Sequence, residues 1–396
     1  MRNGEATRRS LQEIKQTAEQ KEEQMAEKAA EQKKKTIALY IGSVSKGGAE
    51  RVIINLADYF YRRGYRVLLL TARVDEEEYP IPEGVTRLIT EPEPDRLTGG
   101  RISNFSARFC KLRVLWKRER PDIILSFIGK NNMMAILTTF GLKIPVVISV
   151  RGEPTEEYYS KWMRLMAKSL FALADGVVLQ TGRSYSFFPK AVRKKAVTLR
   201  NPVRSVFFQE RYEGEREKTI VAVGRVDENK NHEILLRAFR KITGDFPEYR
   251  LIIYGEGRKW KEMQELSGQL GLGDRVLWPG NVDNVAERIY KSRVFVLSSN
   301  TEGMPNTLIE AMLLGLTVIS TDCPCGGPAE LISHGVNGLL TPVGDIDKME
   351  AALRAVLEDL PWADKLGREA AKQQELYRSE TVYRSWEDYL EKVMRL

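Results

Sequence analysis

Short runs of β-branched and other apolar residues alternate with amphipathic stretches from residue 36 onward. In the first half of the chain, five runs predict buried strands: TIALYI, RVLLLT, DIILSF, PVVISV and GVVLQ. Several intervals between them fit helices, and this alternation is typical of a parallel α/β sheet. After a polar stretch near residues 201–217 the pattern restarts, with strands predicted at TIVAVG, LIIYG, VLW, VFVLSS and TVIST. The sequence therefore predicts an α/β protein with two Rossmann-like, parallel-sheet domains.

Two such domains are expected to face each other across a cleft, because ligands of open α/β sheets bind outside the carboxyl ends of the strands. We divide the chain into a charged extension, an N-terminal domain, a C-terminal domain and a last helix: residues 1–35, 36–205, 206–375 and 376–396. The extension is rich in Ala, Glu, Gln and Lys, and we expect a solvated helix or a disordered segment. In the last helix, Tyr383 and Trp386 are candidate anchors across the domain junction, although core packing explains these aromatic residues equally well.

Composition excludes several classes of protein. The 396 residues are 42% hydrophobic, which is enough for sizeable cores. The three cysteines, Cys110, Cys323 and Cys325, are too few for a disulfide framework and favour a reducing compartment. No apolar run reaches the roughly 18 to 20 residues that span a bilayer, and the N-terminus is charged where a signal peptide is apolar. We expect a cytoplasmic protein, either soluble or peripheral at the inner face of the cell membrane.

Positive charge is concentrated in the first domain. Residues 36–200 carry 27 Lys and Arg against 16 Asp and Glu, whereas residues 201–396 carry 26 against 31. A basic domain suggests contact with an anionic surface. Nucleic acid is the rival explanation, but the sequence has no zinc finger, no aromatic RNA-binding signature and no basic region followed by heptads. No nucleic-acid partner is therefore expected.

A glycine pair follows the first predicted strand. Gly47 and Gly48 precede a helix of clear 3.6-residue period, so the backbone can approach a ligand and the helix N-terminus favours an anion. The pattern matches neither the G-x-G-x-x-G fingerprint nor a Walker loop. A plain turn between strand and helix is the alternative interpretation.

Two cations flank the loop after the first strand of the second domain. Arg225 and Lys230 are five positions apart in GRVDENKNH, and both can converge on one diphosphate, Arg by its fork and Lys as a point charge. Solvated loop charges are the alternative. Asn231 is a plausible N-cap for the helix that follows.

The stretch SSNTEGMPNTLIEAM places Glu302 in a loop and Glu310 inside the next helix, because Pro305 suits the first helical turn. The two acids therefore bracket a helix N-terminus. Carboxylates accept hydrogen bonds from neighbouring hydroxyls but repel phosphate, so acids on either side of an anion-binding helix end suit sugar hydroxyls. General acid/base catalysis by the pair is the competing hypothesis, but an acid on the second helical turn is poorly placed to flank a single bond.

Four runs together resemble one family: GGAERV, GRVDENKNH, EGMPNTLIEAMLLGLTVISTD and GGPAELISHGVNGLL. They are similar to the retaining GT-B glycosyltransferases of glycosyltransferase family 4, and the resemblance spans roughly residues 36–375. It implies that Gly47 and Gly48 approach the diphosphate and the transferred sugar. Arg225 and Lys230 would hold diphosphate oxygens, Glu302 the sugar hydroxyls and Glu310 the ribose.

The resemblance also implies main-chain contacts with the donor. Backbone amides from Gly303 to Leu308 would meet the sugar and the phosphates, and the loop from Gly280 to Val282 would contact the base. The residues concerned are Gly303, Met304, Pro305, Asn306, Thr307, Leu308, Gly280, Asn281 and Val282.

One position departs from the family pattern. Many relatives carry a His after the strand PVVISV, near the donor sugar, whereas this chain has Arg151. A guanidinium is a candidate partner for a sugar hydroxyl or an acceptor phosphate but not a general base. The two histidines, His232 and His334, are interpreted as a helix-start residue and a loop residue.

The family is usually explained by front-face departure of the nucleotide, with the leaving phosphate taking the proton of the acceptor. That mechanism needs no cofactor, and we expect no metal. A literal Asp-x-Asp occurs at Asp345 and Asp347, but its position before an amphipathic helix favours an N-cap and a first-turn acid.

The expected function is transfer of a sugar from a nucleotide-diphosphate donor, such as a UDP-hexose or UDP-N-acetylhexosamine, to a glycan or polyprenyl-diphosphate-linked acceptor. Two basic helical stretches, ARFCKLRVLWKRER and KWMRLMAKSLF, are candidates for contact with anionic lipid, or are ordinary helices packed on the sheet. A UDP-sugar epimerase of the same architecture and a catalytically silent sugar-nucleotide-binding protein are the alternatives.

Overall fold

The computed structural model of the chain describes residues 34–45, 47–97 and 100–395, so the prediction for the charged extension falls almost entirely outside the described residues. The first domain contains a seven-stranded sheet with the strand order β3-β2-β1-β4-β5-β6-β7. Every pair of neighbouring strands is parallel. The strands are β1 Thr36–Tyr40, β2 Arg66–Thr71, β3 Thr86–Ile89, β4 Ile123–Phe127, β5 Val146–Ser149, β6 Gly176–Leu179 and β7 Ala196–Thr198.

Helices cover both faces of this sheet. The helices of the first domain are α1 Gly48–Arg62, α2 Arg101–Glu119, α3 Gly129–Thr139, α4 Pro154–Glu157, α5 Lys161–Leu170 and α6 Lys190–Arg193. One face of the sheet packs against α2, α3 and α5, around Trp116, Ile136 and Phe171, and the other packs against α1.

The second domain repeats the architecture with a six-stranded parallel sheet in the order β10-β9-β8-β11-β12-β13. Its strands are β8 Glu217–Val223, β9 Arg250–Tyr254, β10 Val276–Gly280, β11 Ser292–Leu297, β12 Thr317–Thr321 and β13 Leu339–Thr341. Its helices are α7 His232–Ile242, α8 Trp260–Gln269, α9 Val285–Ile289, α10 Asn306–Leu313, α11 Gly327–Leu331, α12 Ile346–Glu358, α13 Leu360–Ala371 and α14 Gln374–Tyr377. The predicted fold class, with two parallel-sheet α/β domains, is confirmed.

Three strands that the hydrophobic pattern did not predict are edge strands of their sheets. These are β3 and β7 in the first domain and β13 in the second. An edge strand has one neighbour and one partly exposed flank, so it carries a shorter and more mixed sequence than a central strand. Their TRLI and AVT sequences accordingly lack the long apolar run that marks β1 or β4.

The last helix, α15 (Ser379–Met394), returns to the first domain and covers α1. The side chain of Trp386 is fully buried, and its indole Nε1 donates to the carbonyl oxygen of Arg200 at 2.9 Å. The rings of Tyr383 and Tyr59 stack with centroids 4.7 Å apart. The C-terminal segment therefore ties the end of the second domain to the first. Among the described residues, none of the helices combines the length and the apolar composition that are needed to span a bilayer.

Candidate active site

Loops from both sheets line one cavity between the domains, with a volume of about 770 Å³. The loops follow β1, β2, β4, β5, β6 and β7 in the first domain and β8, β9, β10 and β11 in the second. All of them lie at carboxyl ends of parallel strands, and β1 and β8 each border the point where the strand order reverses. Most of the predicted site residues line the cavity: Gly47, Gly48, Arg151, Arg225, Lys230, Asn281, Val282, Glu302, Gly303, Met304, Pro305, Asn306 and Thr307.

Lys230 and Glu302 form an ion pair on the wall of this cavity. The ammonium Nζ of Lys230 lies 2.5 Å from Oε1 of Glu302, and their side chains are only 17% and 13% exposed. Ser299 donates a second hydrogen bond to the same carboxylate oxygen at 2.7 Å. The loop after β8 and the loop after β11 thereby present a cation and an acid side by side.

Arg225 lines the same cavity but is held differently. Its side chain is 71% exposed, and its Nε lies 3.5 Å from the Asp227 carboxylate. The other oxygen of Asp227 accepts hydrogen bonds from the backbone amides of Asn229 and Lys230, at 3.1 and 2.9 Å. This local turn shapes the loop that carries both cations, and it leaves the guanidinium of Arg225 free to reorient toward a ligand.

The loops after β8 and β11 are fastened to each other by asparagine side chains. Asn229 donates from Nδ2 to the carbonyl oxygen of Thr301 at 2.9 Å and accepts from the amide of Thr301 at 3.0 Å. Asn231 occupies the N-cap position of α7 as predicted, but its side chain makes no capping bond and instead donates to Asn300 at 2.8 Å. The N-cap position predicted for Asn231 is confirmed, but the side-chain capping bond is not formed, because the backbone of Asn231 is left-handed (φ 46°) rather than extended as at a usual N-cap.

The N-terminus of α10 points at the cavity. Thr307 lies in the first turn of this helix, and its hydroxyl is buried without a hydrogen-bond partner among the described residues. The side chain of Leu308 is fully buried in the core, so only its backbone can meet a ligand. Gly303 approaches the first domain so closely that a Cβ atom there would lie 2.3 Å from the carbonyl oxygen of Arg151. No larger residue fits at that position without moving the backbone.

Glu310 lies inside α10, as predicted, but it is buried rather than open to the cavity. Its side chain is 3% exposed, and Oε1 lies 2.7 Å from Nη2 of Arg51 on α1 of the first domain. Burial raises the pKa of Glu310, and the guanidinium groups of Arg51 and Arg204 lower it. The sequence pattern gave no indication of either arginine as a partner, because the contact joins the two domains.

The glycine pair begins α1 at the cavity wall, but an acid lies beside it. A Cβ atom at Gly47 would lie 2.2 Å from Oε2 of Glu50, so the Glu50 carboxylate rests against the glycine backbone. Burial raises the pKa of Glu50, while its own amide and Arg225 lower it. A diphosphate at this helix end would have to displace the Glu50 carboxylate or lie beside it.

Gly280, predicted to lie in a loop, is instead the last residue of β10, and Asn281 and Val282 begin the loop that follows. Asn281 and Val282 line the cavity, whereas Gly280 belongs to the sheet, where its carbonyl oxygen accepts from the amide of Gly255 at 2.9 Å. This loop presents backbone groups and an apolar side chain, which are suitable contacts for a flat base.

Arg151 lies in the cavity over the ring of Phe127, with its guanidinium carbon 4.7 Å from the ring centroid. Its Nη2 donates to Oδ1 of Asn201 at 2.7 Å, whereas Nε and Nη1 are buried without a hydrogen-bond partner in the described residues. Burial lowers the pKa of Arg151 to about 9, so the side chain remains protonated at neutral pH. It therefore supplies donors with unused capacity and cannot act as a base there.

Asn201, which the motifs did not single out, connects the two domains at the wall of the cavity. It is buried, accepts from Arg151, and donates from Nδ2 to Oδ1 of Asn306 at 2.6 Å. Asn306 in turn donates to the carbonyl oxygen of Gly48 at 3.2 Å. Its position in an Asn-Pro pair of the interdomain linker is the only local signal that marks Asn201.

The residues that the structure describes contain no group of three His, Cys, Asp or Glu side chains that could hold a metal ion. Asp345 of the Asp-x-Asp sequence accepts from the amide of Lys348 at 2.9 Å and caps α12, as predicted. Asp347 pairs with Lys241 on the surface. This pair of acids is therefore occupied by helix capping and a surface contact.

The arrangement is suited to holding a ligand with a negative centre and hydroxyl groups at its ends. Arg225 and Lys230 provide positive charge, and the N-terminus of α10 adds backbone donors. Glu302 lies beside Lys230, and its carboxylate can accept hydrogen bonds from the hydroxyl groups of a ligand. The electrostatic pattern fits a nucleotide diphosphate linked to a sugar.

Two family models match the chain, and between them they span most of it. The model described as Glycosyl transferases group 1 matches residues 203–373, and the model described as Glycosyltransferase Family 4 matches residues 46–185. These two matches fall on the second and the first domain respectively.

Two curated relatives match over nearly their whole length. A Campylobacter jejuni protein named GalNAc-alpha-(1->4)-GalNAc-alpha-(1->3)-diNAcBac-PP-undecaprenol alpha-1,4-N-acetyl-D-galactosaminyltransferase is 26% identical over 88% of this chain and 96% of its own length. The amylovoran biosynthesis glycosyltransferase AmsD of Erwinia amylovora is 24% identical over 90% of this chain and 99% of its own length.

Solved structures share the fold. The crystal structure of Anabaena Alr3699/HepE in complex with UDP and glucose superposes with a TM-score of 0.77 and 20% identity, covering 90% of this chain and 100% of that one. WaaG, a glycosyltransferase involved in lipopolysaccharide biosynthesis, superposes with a TM-score of 0.71 and 14% identity, covering 89% and 99%.

Proposed function

This chain is a hexosyltransferase that belongs to the GT-B glycosyltransferases of family 4 type, and we propose that its donor is a UDP-hexose or a UDP-N-acetylhexosamine. The proposed acceptor is a glycan or a polyprenyl-diphosphate-linked sugar, in the synthesis of a cell-surface polysaccharide or glycoconjugate. The relative from Campylobacter jejuni, named for an undecaprenol-diphosphate-linked glycan, supports this class of acceptor. The complex of HepE with UDP and glucose supports this class of donor.

One observation carries the proposal: the ion pair of Lys230 and Glu302 on the wall of the interdomain cavity. A cation beside a carboxylate suits the junction between a phosphate and a sugar, because phosphate needs positive charge and sugar hydroxyls need an acceptor. In this proposal Lys230 and Arg225 bind the diphosphate, Glu302 binds the transferred sugar and Glu310 binds the ribose. Gly47, Gly48 and the backbone from Gly303 to Leu308 complete the contacts.

The proposed reaction retains the configuration at the anomeric carbon. The bond from that carbon to the phosphate oxygen breaks, the acceptor oxygen attacks on the same face, and the departing phosphate takes the acceptor's proton. The enzyme would then contribute charge stabilisation of the leaving group and exclusion of water by the closed cleft. No base is needed, which agrees with a protonated Arg151 at this point of the cavity.

A screen of nucleotide sugars with purified protein tests the proposal. We expect slow donor hydrolysis with one or two UDP-sugars and none with the other nucleotides, at a rate that does not change when a chelator is added. Formation of an epimerised UDP-sugar without acceptor would instead favour the epimerase. Loss of all turnover with chelator would contradict the metal-independent mechanism.

We place the acceptor side of the cleft near a membrane, because the outer faces of α2 and α5 combine basic and exposed apolar side chains. Ile102 and Phe105 on α2 are 86% and 49% exposed, and Trp162 and Leu165 on α5 are 68% and 57% exposed. These helices flank α3 on one face of the first sheet. A surface of this kind binds anionic lipid through charge and inserted side chains.

Vesicle flotation tests this membrane contact. Vesicles that contain anionic lipid should carry the wild-type protein upward at moderate salt, and the double change of Trp162 and Leu165 to Ser should reduce the bound fraction severalfold. Val336, which is 56% exposed in the second domain, gives the matched control when changed to Ser. Absence of wild-type binding would refute the proposed contact.

A further inference from the structure

Two contacts hold the start of α1 in the first domain against the start of α10 in the second. Asn306 donates to the carbonyl oxygen of Gly48 at 3.2 Å, and Arg51 lies 2.7 Å from Glu310. Gly48 and Arg51 are three positions apart on α1, and Asn306 and Glu310 are four positions apart on α10, so each pair lies on one helical face. The domains therefore meet along two matched helix faces at the nucleotide end of the cavity.

The Glu310 carboxylate is stabilised in its ionised form by the Arg51 guanidinium at this contact between the domains. Its side chain is 3% exposed and that of Arg51 is 17% exposed, so water reaches the carboxylate poorly. Burial raises the pKa of Glu310, and Arg51 opposes that effect. Only an ionised carboxylate offers both oxygens as acceptors to a pair of neighbouring hydroxyls. In the closed cleft the guanidinium replaces the water that would otherwise stabilise this charge.

We propose that Arg51 is a positioning residue for the donor nucleotide, which holds the Glu310 carboxylate in place for the ribose hydroxyls while the domains are closed. The inference rests on the proposed function, in which Glu310 binds the ribose. Arg51 belongs to the first domain and Glu310 to the second, so the contact exists only when α1 and α10 are together. A nucleotide with intact ribose hydroxyls thus favours the closed cleft, because it binds the state in which Glu310 is fixed.

The affinities of UDP and 2′,3′-dideoxy-UDP, measured by titration calorimetry, test the role of Arg51. Arg51→Gln should weaken UDP binding about tenfold or more, because Glu310 is then no longer held for the ribose and loses a charged hydrogen bond to a ribose hydroxyl. The same change should alter dideoxy-UDP binding less than about twofold, because that nucleotide has no ribose hydroxyls for Glu310 to bind. Arg51→Lys keeps the charge and should recover part of the UDP affinity.

Arg62 provides the matched control on the same helix. It forms an exposed pair with Asp58, in which the arginine side chain is 75% exposed. Arg62→Gln should leave both affinities unchanged. If Arg51→Gln does not fold, Arg51→Lys carries the same comparison, since lysine retains the charge but loses the fork of the guanidinium.

Three results would overturn the inference. Tighter UDP binding in Arg51→Gln would mean that Arg51 covers Glu310 and excludes the ribose. Equal loss of affinity for both nucleotides would mean a merely structural role, and unchanged affinity for UDP would mean no role. Glu310→Gln separates this inference from the proposed function: if that change leaves UDP affinity unaltered, the proposed ribose site itself is wrong.

Discussion

Replacement of Lys230 by Met tests how the protein stabilises the leaving nucleotide. Methionine keeps most of the length of the side chain and removes the charge. Glu302 then keeps the hydrogen bond from the hydroxyl of Ser299 but loses the one from Lys230. The Lys230 side chain is 17% exposed, so the charge acts in a partly desolvated site rather than in bulk water.

The expected loss of catalytic efficiency can be estimated from the low exposure of the Lys230 charge. A unit charge about 4 Å from a phosphate charge contributes about 4 kcal/mol at an effective dielectric constant of about 20. Since about 1.4 kcal/mol corresponds to a tenfold change in rate, kcat/KM for donor turnover should fall about 10³-fold. Because the phosphate is also charged before transfer, the affinity for UDP should weaken as well.

Steady-state hydrolysis of the UDP-sugar found by the donor screen, together with calorimetric titration of UDP, measures both effects. Lys241→Met is the matched control, since Lys241 pairs with Asp347 on the exposed surface of the same domain. A loss of less than tenfold in kcat/KM would refute a leaving-group role for Lys230. Unchanged UDP affinity with a reduced rate would show that Lys230 acts only through Glu302.

Three further changes have definite expected outcomes. Glu302→Gln should lower kcat about 10- to 100-fold with little effect on UDP affinity, because the lost charged hydrogen bond is to the sugar and not to the nucleotide; kinetics and UDP titration check this. Trp386→Ala should destabilise the first domain by about 3 to 5 kcal/mol in urea unfolding, since it empties a fully buried site and removes the bond to Arg200. Burial lowers the pKa of His232 to about 4 from its usual 6.5, so the unfolded chain binds more protons between these values. Stability should therefore fall by up to about 3 kcal/mol as the pH drops from about 6.5 to about 4, and His232→Phe should flatten that dependence in urea unfolding.

For each of these three predictions, one result would contradict the reasoning. Equal loss of rate and UDP affinity in Glu302→Gln would place that acid at the nucleotide. Trp162→Ala, at an exposed aromatic residue, is the control for Trp386, and equal stability of the two variants would contradict the docking of α15. Parallel pH profiles for the wild-type and His232→Phe proteins would show that His232 is not the group responsible.

The parts of this protein that local sequence could predict are those that depend on local periodicity. The buried central strands and the positions of Glu302 before α10 and Glu310 within it follow from apolar runs and from Pro305. The apolar runs did not predict the edge strands β3, β7 and β13, because a strand with one neighbour needs only a short apolar segment.

The pairings within the site could not be predicted, because they join residues that are distant in the chain. Lys230 and Glu302 are 72 positions apart, and Asn201 and Asn306 are 105 positions apart. Spacing predicted that Arg225 and Lys230 share one loop, but not that Lys230 is held by an acid of the next loop. Arg51 lies within the GGAERV run, but nothing in that run marks its pairing, since its partner is on the other domain.

A crystal structure of the protein with bound UDP tests the central claim most directly. We predict that the diphosphate lies within hydrogen-bonding distance of Lys230 or Arg225, and that the ribose hydroxyls bind the carboxylate of Glu310. UDP bound elsewhere in the cavity, with these three side chains arranged as they are in the free protein, would contradict it.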